Sequence, residues 1–136
     1  VSFISNSLSA ARAYAEWLDL PVDRFTIVYN GVKPMEPIPG NTCQQLWDDF
    51  AARTADADHT VGGVFRFDTD KQPLLWIRFA NRYLRRHPTA RMVLVGGGRL
   101  LPNAQQLAEE LGIADRILFV GRSSTVGFWM TKMDVL

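Results

Sequence analysis

This 136-residue sequence is poor in the residues that most often announce a chemistry. Its single cysteine, Cys43, cannot close an internal disulfide and has no companion ligands for a zinc site, which fits a reducing compartment. The two histidines, His59 and His87, stand far apart with no Cys or Glu at ligand spacing, so both read as loop residues and no metal site is expected. An excess of charge is missing too. Fifteen Lys and Arg against fourteen Asp and Glu leave a formal charge of +1, so no global field argues for nucleic acid, and any anion site must be local. No apolar run approaches a membrane span, and no basic-then-apolar leader is legible at the start. A GxxxxGK[ST] loop and a GxSxG elbow are absent, GxGxxG fails where Leu101 replaces its third glycine, and no Ser, His and Asp set is nominated. Asp68 and Asp70 read as helix-start residues.

What is present is an ordinary globular composition, 47% hydrophobic and 21% charged, arranged as alternating strands and helices. Val1–Ile4 and Phe25–Tyr29 read as strands around a helix capped by Asn6 or Ser7, with Ala10, Ala11, Tyr14, Trp17 and Leu18 on one face. Lys33–Asn41, with three prolines and a glycine, reads as a linker or surface excursion. Thr42 caps a short helix carrying Leu46, Trp47 and Phe50. Thr60–Phe67 is the next strand, followed from about Asp70 by a helix with Leu75, Trp76, Phe79, Ala80, Tyr83 and Leu84 inward and Arg78, Arg82 and Arg85 solvated. Arg91–Val95 is a continuous apolar strand ending in Gly96–Gly98. A helix follows with an Asn103/Gln106 capping box, a stripe of Ala104, Leu107, Ala108 and Leu111, and a stop at Gly112. Arg116–Val120 leads to Gly121, then a helix capped by Ser123 or Ser124 and a last strand near Met133. The alternation predicts an α/β fold, a Rossmann-like parallel sheet with helices on both faces.

In such a sheet, ligands gather at the carboxyl ends of the strands. Three of those ends carry small or cationic residues: Arg66–Lys71, Gly96–Arg99 and Gly121–Ser124. Val61–Gln72 (VGGVFRFDTDKQ) would bring two cations, Arg66 and Lys71, to a helix start, where backbone amides and both side chains can share one diphosphate. The plain alternative is a pair of solvated charges beside a turn. Gly96–Gly98 permits close backbone approach to a ligand or simply makes a tight turn.

SNSLSAARAYAEWLDLPVDRFTIVYNGV, VGGVFRFDTDKQPLLWIRFA, MVLVGGGRL and DRILFVGRSSTVGFWMTKMDVL, in this order, resemble GT-B glycosyltransferases of the large family four. The resemblance covers most of the chain except Met35–His59. It implies that residues 1–34 are the end of an N-terminal acceptor domain with the interdomain segment, and residues 35–136 an incomplete C-terminal nucleotide-sugar-binding domain. A piece of a larger protein is therefore expected. Arg66 and Lys71 would hold the donor's diphosphate and offset the charge of the departing nucleotide, so that no cofactor and no metal are needed. Gly63, Gly96, Gly98 and Arg99 would border the nucleotide, and Gly121, Arg122 and Ser123 its base. Phe65 stands where the family often has Gly, and the family's pair of glutamates would lie beyond Asp134. The implied function is retaining transfer of a sugar from a nucleotide-diphosphate donor to a glycan or lipid-linked acceptor, in cell-surface polysaccharide synthesis. The implied setting is the cytoplasm or the inner face of the membrane, with peripheral membrane association as one option. A non-catalytic nucleotide-binding module and a nucleotide-sugar epimerase are the alternatives.

Overall fold

A computed structural model describes residues 2–31, 35, 37–38 and 40–136, which divide into two units, Val1–Pro34 and Met35–Leu136. Much of the expected linker at 33–41 lies outside the described residues.

In the first unit, β1 (Phe3–Ser5) and β2 (Phe25–Ile27) pair in parallel around α1 (Leu8–Trp17). Phe3 stacks on its register partner Phe25 with ring centroids 5.1 Å apart. Ser7 caps α1 by accepting a 3.1 Å hydrogen bond from the Ala10 amide. Only part of the apolar face of α1 is buried. Ala11 and Ala15, four residues apart, form the buried stripe of α1, which leaves the neighbouring stripe of Tyr14 and Trp17 exposed.

The second unit is built around its central strand. It runs α2 (Asn41–Arg53), β3 (His59–Val64), α3 (Pro73–Arg86), β4 (Ala90–Val95), α4 (Leu101–Glu110), β5 (Ile117–Gly121) and α5 (Val126–Met130). The sheet order is β3-β4-β5, all parallel, and Val135 adds a bridge beside Val61 on the outer side of β3. Strand alternation divides β4 between two cores. Met92 and Leu94 join Ile77, Ala80 and Leu84 of α3 and Ala104 and Ala108 of α4, while Val93 and Val95 join Phe50 of α2 and Phe128 and Trp129 of α5. Helices therefore cover both faces, as expected for a continuous apolar run.

Local boundaries differ from the sequence reading for identifiable reasons. β3 ends at Val64, not Phe67, where the chain turns toward the glycine triplet after β4. Lys71 lies in a 3-10 turn (Thr69–Lys71) that ends at Gln72 in the left-handed region, so α3 starts later, at Pro73. The buried face of α3 is Pro73, Ile77, Ala80 and Leu84, and Leu75 and Phe79 face solvent. Thr42 and Asn103 sit inside their helices: α2 is preceded by Gly40, and α4 starts at Leu101 with Pro102 in its first turn, where proline's fixed φ is pre-organised. Thr125 occupies the N-cap of α5. Among the described residues no helix is long and apolar enough to cross a membrane.

Candidate functional site

Strands β3, β4 and β5 end side by side, and what happens just beyond them defines the site. Gly96 and Gly98 have φ of 140° and 155°, where other residues are strained. A Cβ on Gly96 would stand 1.9 Å from the carbonyl oxygen of Phe65, and one on Gly98 2.5 Å from that of Phe67. The close approach that the triplet permits is thus made first by the chain itself. The Phe65 amide donates to Val95 at 3.0 Å, the Phe67 amide to Gly97 at 3.0 Å, and the Leu100 amide to Phe67 at 2.8 Å. These bonds continue the β3–β4 ladder past the strand ends. They fix Arg66 between two anchored neighbours while leaving its side chain 70% exposed.

Beside this backbone splice lies a cleft of about 460 Å³. Arg66 and Asp68 come to it from the β3–α3 connection, Gly96 and Gly97 from the β4–α4 turn, and Arg122, Ser123 and Val126 from the segment after β5; Val64, Phe65 and Val95 complete it. A Cβ on Gly97 would approach Cγ of Arg122 to 2.8 Å, so the Arg122 stem runs across the glycine backbone at the edge of this cleft. Arg122 has no hydrogen-bond or ion-pair partner among the described residues. Ser123 is engaged more fully: its Oγ accepts from the Thr125 amide at 3.1 Å and from Nε1 of buried Trp129 at 3.1 Å. Its hydroxyl shapes the loop as well as lining the cleft. Gly121, with φ of 75°, makes the turn that starts this loop, and its carbonyl accepts from the Gly96 amide at 2.8 Å.

The other sequence-selected residues are distributed around this cleft. Lys71 borders a second, shallower depression with Leu75, Trp76 and Phe79. It nevertheless shares a counter-ion with Arg66: Oδ2 of Asp70 is 3.2 Å from the Arg66 guanidinium and 3.7 Å from Nζ of Lys71. Arg99 reaches back to this connection, donating to Thr69 at 3.2 Å and lying 3.9 Å from Asp68. These pairs are largely exposed and hold their partners weakly. Gly63 is placed differently, inside β3, where a Cβ would meet the Phe65 ring at 2.8 Å and Leu94 at 3.2 Å; close packing accounts for this glycine. Gly98 faces Phe67 and does not line the cleft. Asp68 and Gly97 were not selected from sequence. The signal for Gly97 was its place in the triplet, and Asp68 was masked by its resemblance to a helix-start residue. Among the described residues no group of three or more His, Cys, Asp or Glu could hold a metal ion.

A parallel sheet layered by helices, with a cationic and glycine-lined cleft at its carboxyl edge, has the fold of GT-B glycosyltransferases. Among solved structures, Anabaena HepE in complex with UDP-glucose superposes with a TM-score of 0.70 at 18% identity, covering 98% of this chain and 36% of HepE. A glycosyltransferase from Rickettsia africae matches with the same TM-score of 0.70 at 15% identity, covering 98% of this chain and 36% of its own. In sequence, the chain is 52% identical over 136 residues to the Vi polysaccharide biosynthesis protein VipC/TviE of Salmonella typhi. That match covers 99% of this chain but 24% of the relative, so the chain spans about a quarter of its length. No protein-family model matches the chain.

Proposed function

We propose that this chain forms the donor-binding side of a retaining glycosyltransferase that uses a nucleotide-diphosphate sugar in polysaccharide biosynthesis. The observation that carries this is the cleft at the carboxyl ends of β3, β4 and β5, walled by Arg66 and Arg122 and floored by the Gly96–Gly97 backbone. The cleft suits a diphosphate: cations on two sides, and a floor without side chains that lets an extended anion lie close to main chain. As the glycosidic bond of a donor breaks, negative charge grows on the departing nucleotide. Cations already in place lower the energy of that state more than that of the bound donor. Arg66 is held ready by the backbone splice. Lys71 would join it by exchanging Asp70 for phosphate, an exposed pair that costs little to open. Two bound cations supply the stabilisation that a metal provides elsewhere, so transfer should survive chelation. The neighbour bound to UDP-glucose supports a uridine donor, and the relative's role in Vi polysaccharide supports a glycan or lipid-linked acceptor. The cytoplasmic setting belongs to the same proposal.

The test is donor turnover by the intact protein with UDP-sugars, before and after Arg66→Ala and Lys71→Ala. Loss of one preorganised charge of this kind lowers kcat by about 100-fold or more. Unchanged turnover together with unchanged donor affinity in both variants would remove these residues from the reaction, and an isomerised donor in place of a glycosylated product would replace transfer with epimerisation.

A further inference from the structure

One carboxylate stands in the donor cleft, where a diphosphate has no use for it. Among the described residues that line the cleft, Asp68 is the one acid, and it shares a wall with Arg66. The chain path puts it there. Asp68 is extended, with φ of -121° and ψ of 166°, and along an extended chain side chains two residues apart share a side. Arg66 and Asp68 accordingly line the cleft, while Phe67 between them is buried in the core. The Phe67 amide donates to Gly97 and its carbonyl accepts from Leu100, which holds the arrangement in place. An aspartate in front of a helical turn ordinarily accepts from a backbone amide ahead of it. Asp68 precedes the 3-10 turn Thr69–Lys71 and makes no such bond. Its carboxylate accepts no hydrogen bond among the described residues, and its ion-pair neighbour there, Arg99, stands 3.9 Å away. The side chain is nonetheless only 33% exposed.

On the reading of this cleft as a donor site, we infer that Asp68 is a specificity-determining residue that accepts hydrogen bonds from hydroxyl groups of the transferred sugar. An ionised carboxylate only accepts, so it needs O–H or N–H partners. A diphosphate has none to give and is repelled by the like charge. The donor therefore lies with its phosphates toward Arg66 and Arg122 and an uncharged, hydroxyl-bearing part beside Asp68. Ribose and sugar both answer that description. The β5 side settles which: Arg122 offers a planar guanidinium without a hydrogen-bond or ion-pair partner among the described residues, and Ser123 a hydroxyl, a pairing suited to stacking on and bonding to a base. Asp68 follows β3, across the turn after β4 from Ser123, so with the base and its ribose on the β5 side the sugar falls to Asp68. A site built around such a bond discriminates strongly against a sugar that lacks the hydroxyl.

The experiment is calorimetric titration of the intact protein, wild type and Asp68→Ala, with UDP, UDP-glucose, UDP-galactose and the two N-acetylhexosamine counterparts. Asp68→Ala should weaken the tightest of the UDP-sugars by about tenfold, as loss of a charged hydrogen bond does. UDP itself should bind at least as tightly as before, because a repelling charge is gone. A wild-type unfolding midpoint certifies that the variant is folded. Among singly deoxygenated forms of the same sugar, one should bind wild type about tenfold more weakly and lose nothing further in the variant, the pattern of two partners in one bond. Equal losses for UDP and UDP-sugar would move Asp68 to the ribose or to the fold and overturn the inference. Undiminished UDP-sugar affinity, deoxygenation losses that all add to that of the variant, or wild-type binding of UDP with none of the four sugars would overturn it as well, with the donor reading left standing. Wild type that binds neither UDP nor any UDP-sugar would remove the donor reading itself, and this assignment with it.

Discussion

The two edges of the β3-β4-β5 sheet are made of similar residues and put to opposite uses. At the amino edge, polar groups satisfy one another. Arg91 donates to Thr60 at 2.9 Å and Thr54 at 3.3 Å and lies 4.5 Å over the Trp47 ring, tying β4 to β3 and α2. Asp134 accepts from the Thr60 amide at 2.7 Å and so secures the final segment beside β3. Arg116 clasps Asp56 with two hydrogen bonds of 2.7 and 2.6 Å and also donates to the Pro88 carbonyl. Asp58 accepts from Thr89 at 2.9 Å and lies 2.5 Å from the His59 ring, whose other nitrogen meets Tyr83. At the carboxyl edge, by contrast, Arg122 has no hydrogen-bond or ion-pair partner among the described residues, Arg66 and Lys71 share one exposed carboxylate, and backbone glycines replace side chains. One edge completes the fold. The other leaves charge unspent, which is what the proposed anion site requires.

The largest effect expected from breaking this contrast is at Gly96. Alanine there would press its Cβ into the Phe65 carbonyl, backbone against backbone, at a φ that alanine resists. Gly96→Ala should lower stability by on the order of 3 kcal/mol and release the Arg66 connection from β4. Chemical unfolding of the intact protein measures it, and a midpoint equal to wild type would show that the splice yields easily.

A matched pair of substitutions sharpens the comparison further. Burial pulls the Arg91 guanidinium below its ordinary pKa, opposed by the charge of Asp134, so its side chain belongs to the packed structure. Arg91→Met should cost about 1–2 kcal/mol by removing two hydrogen bonds and the Trp47 contact, with donor affinity unchanged. Arg122→Met should do the reverse, leaving stability within about 0.5 kcal/mol while weakening UDP-sugar binding. If both variants lose stability and neither loses affinity, the two edges do not differ in function.

How much of this was legible beforehand depends on the range of the interaction involved. The continuous run Met92–Val95 is readable as a strand buried on both faces, because burial on both sides requires apolar residues at every position. The glycine triplet was readable as a place of close approach, but not that Phe65 and Phe67, about thirty residues earlier, are what approaches. Sequence spacing brought Arg66 and Lys71 together, and Asp70 does join them. It could not foresee that a 3-10 turn ending at left-handed Gln72 would set Lys71 beside Trp76 rather than in the cleft. On α3, apolar residues occupy more than half of the helix circumference, so periodicity alone could not choose between Phe79 and Ile77. The surface of β4 chose Ile77, and that choice leaves Phe79 exposed.

The smallest effect expected is an acid response of the amino edge. The hydrogen bonds from Arg116 hold the Asp56 carboxyl below its ordinary pKa, and the bond with His59, then that from Thr89, does the same for Asp58. A carboxylate whose folded pKa is depressed contributes stability above its unfolded value and loses that contribution as pH falls through the folded one. Unfolding midpoints should therefore be flat near neutrality and decline below about pH 4. Asp56→Asn/Asp58→Asn should start lower at neutral pH and decline less. Both carboxylates are exposed, so added salt should shrink the difference. Parallel acid profiles for wild type and variant would mean that these clasps form in the folded state without favouring it, and that Arg91 and Asp134 alone distinguish the sealed edge from the open one.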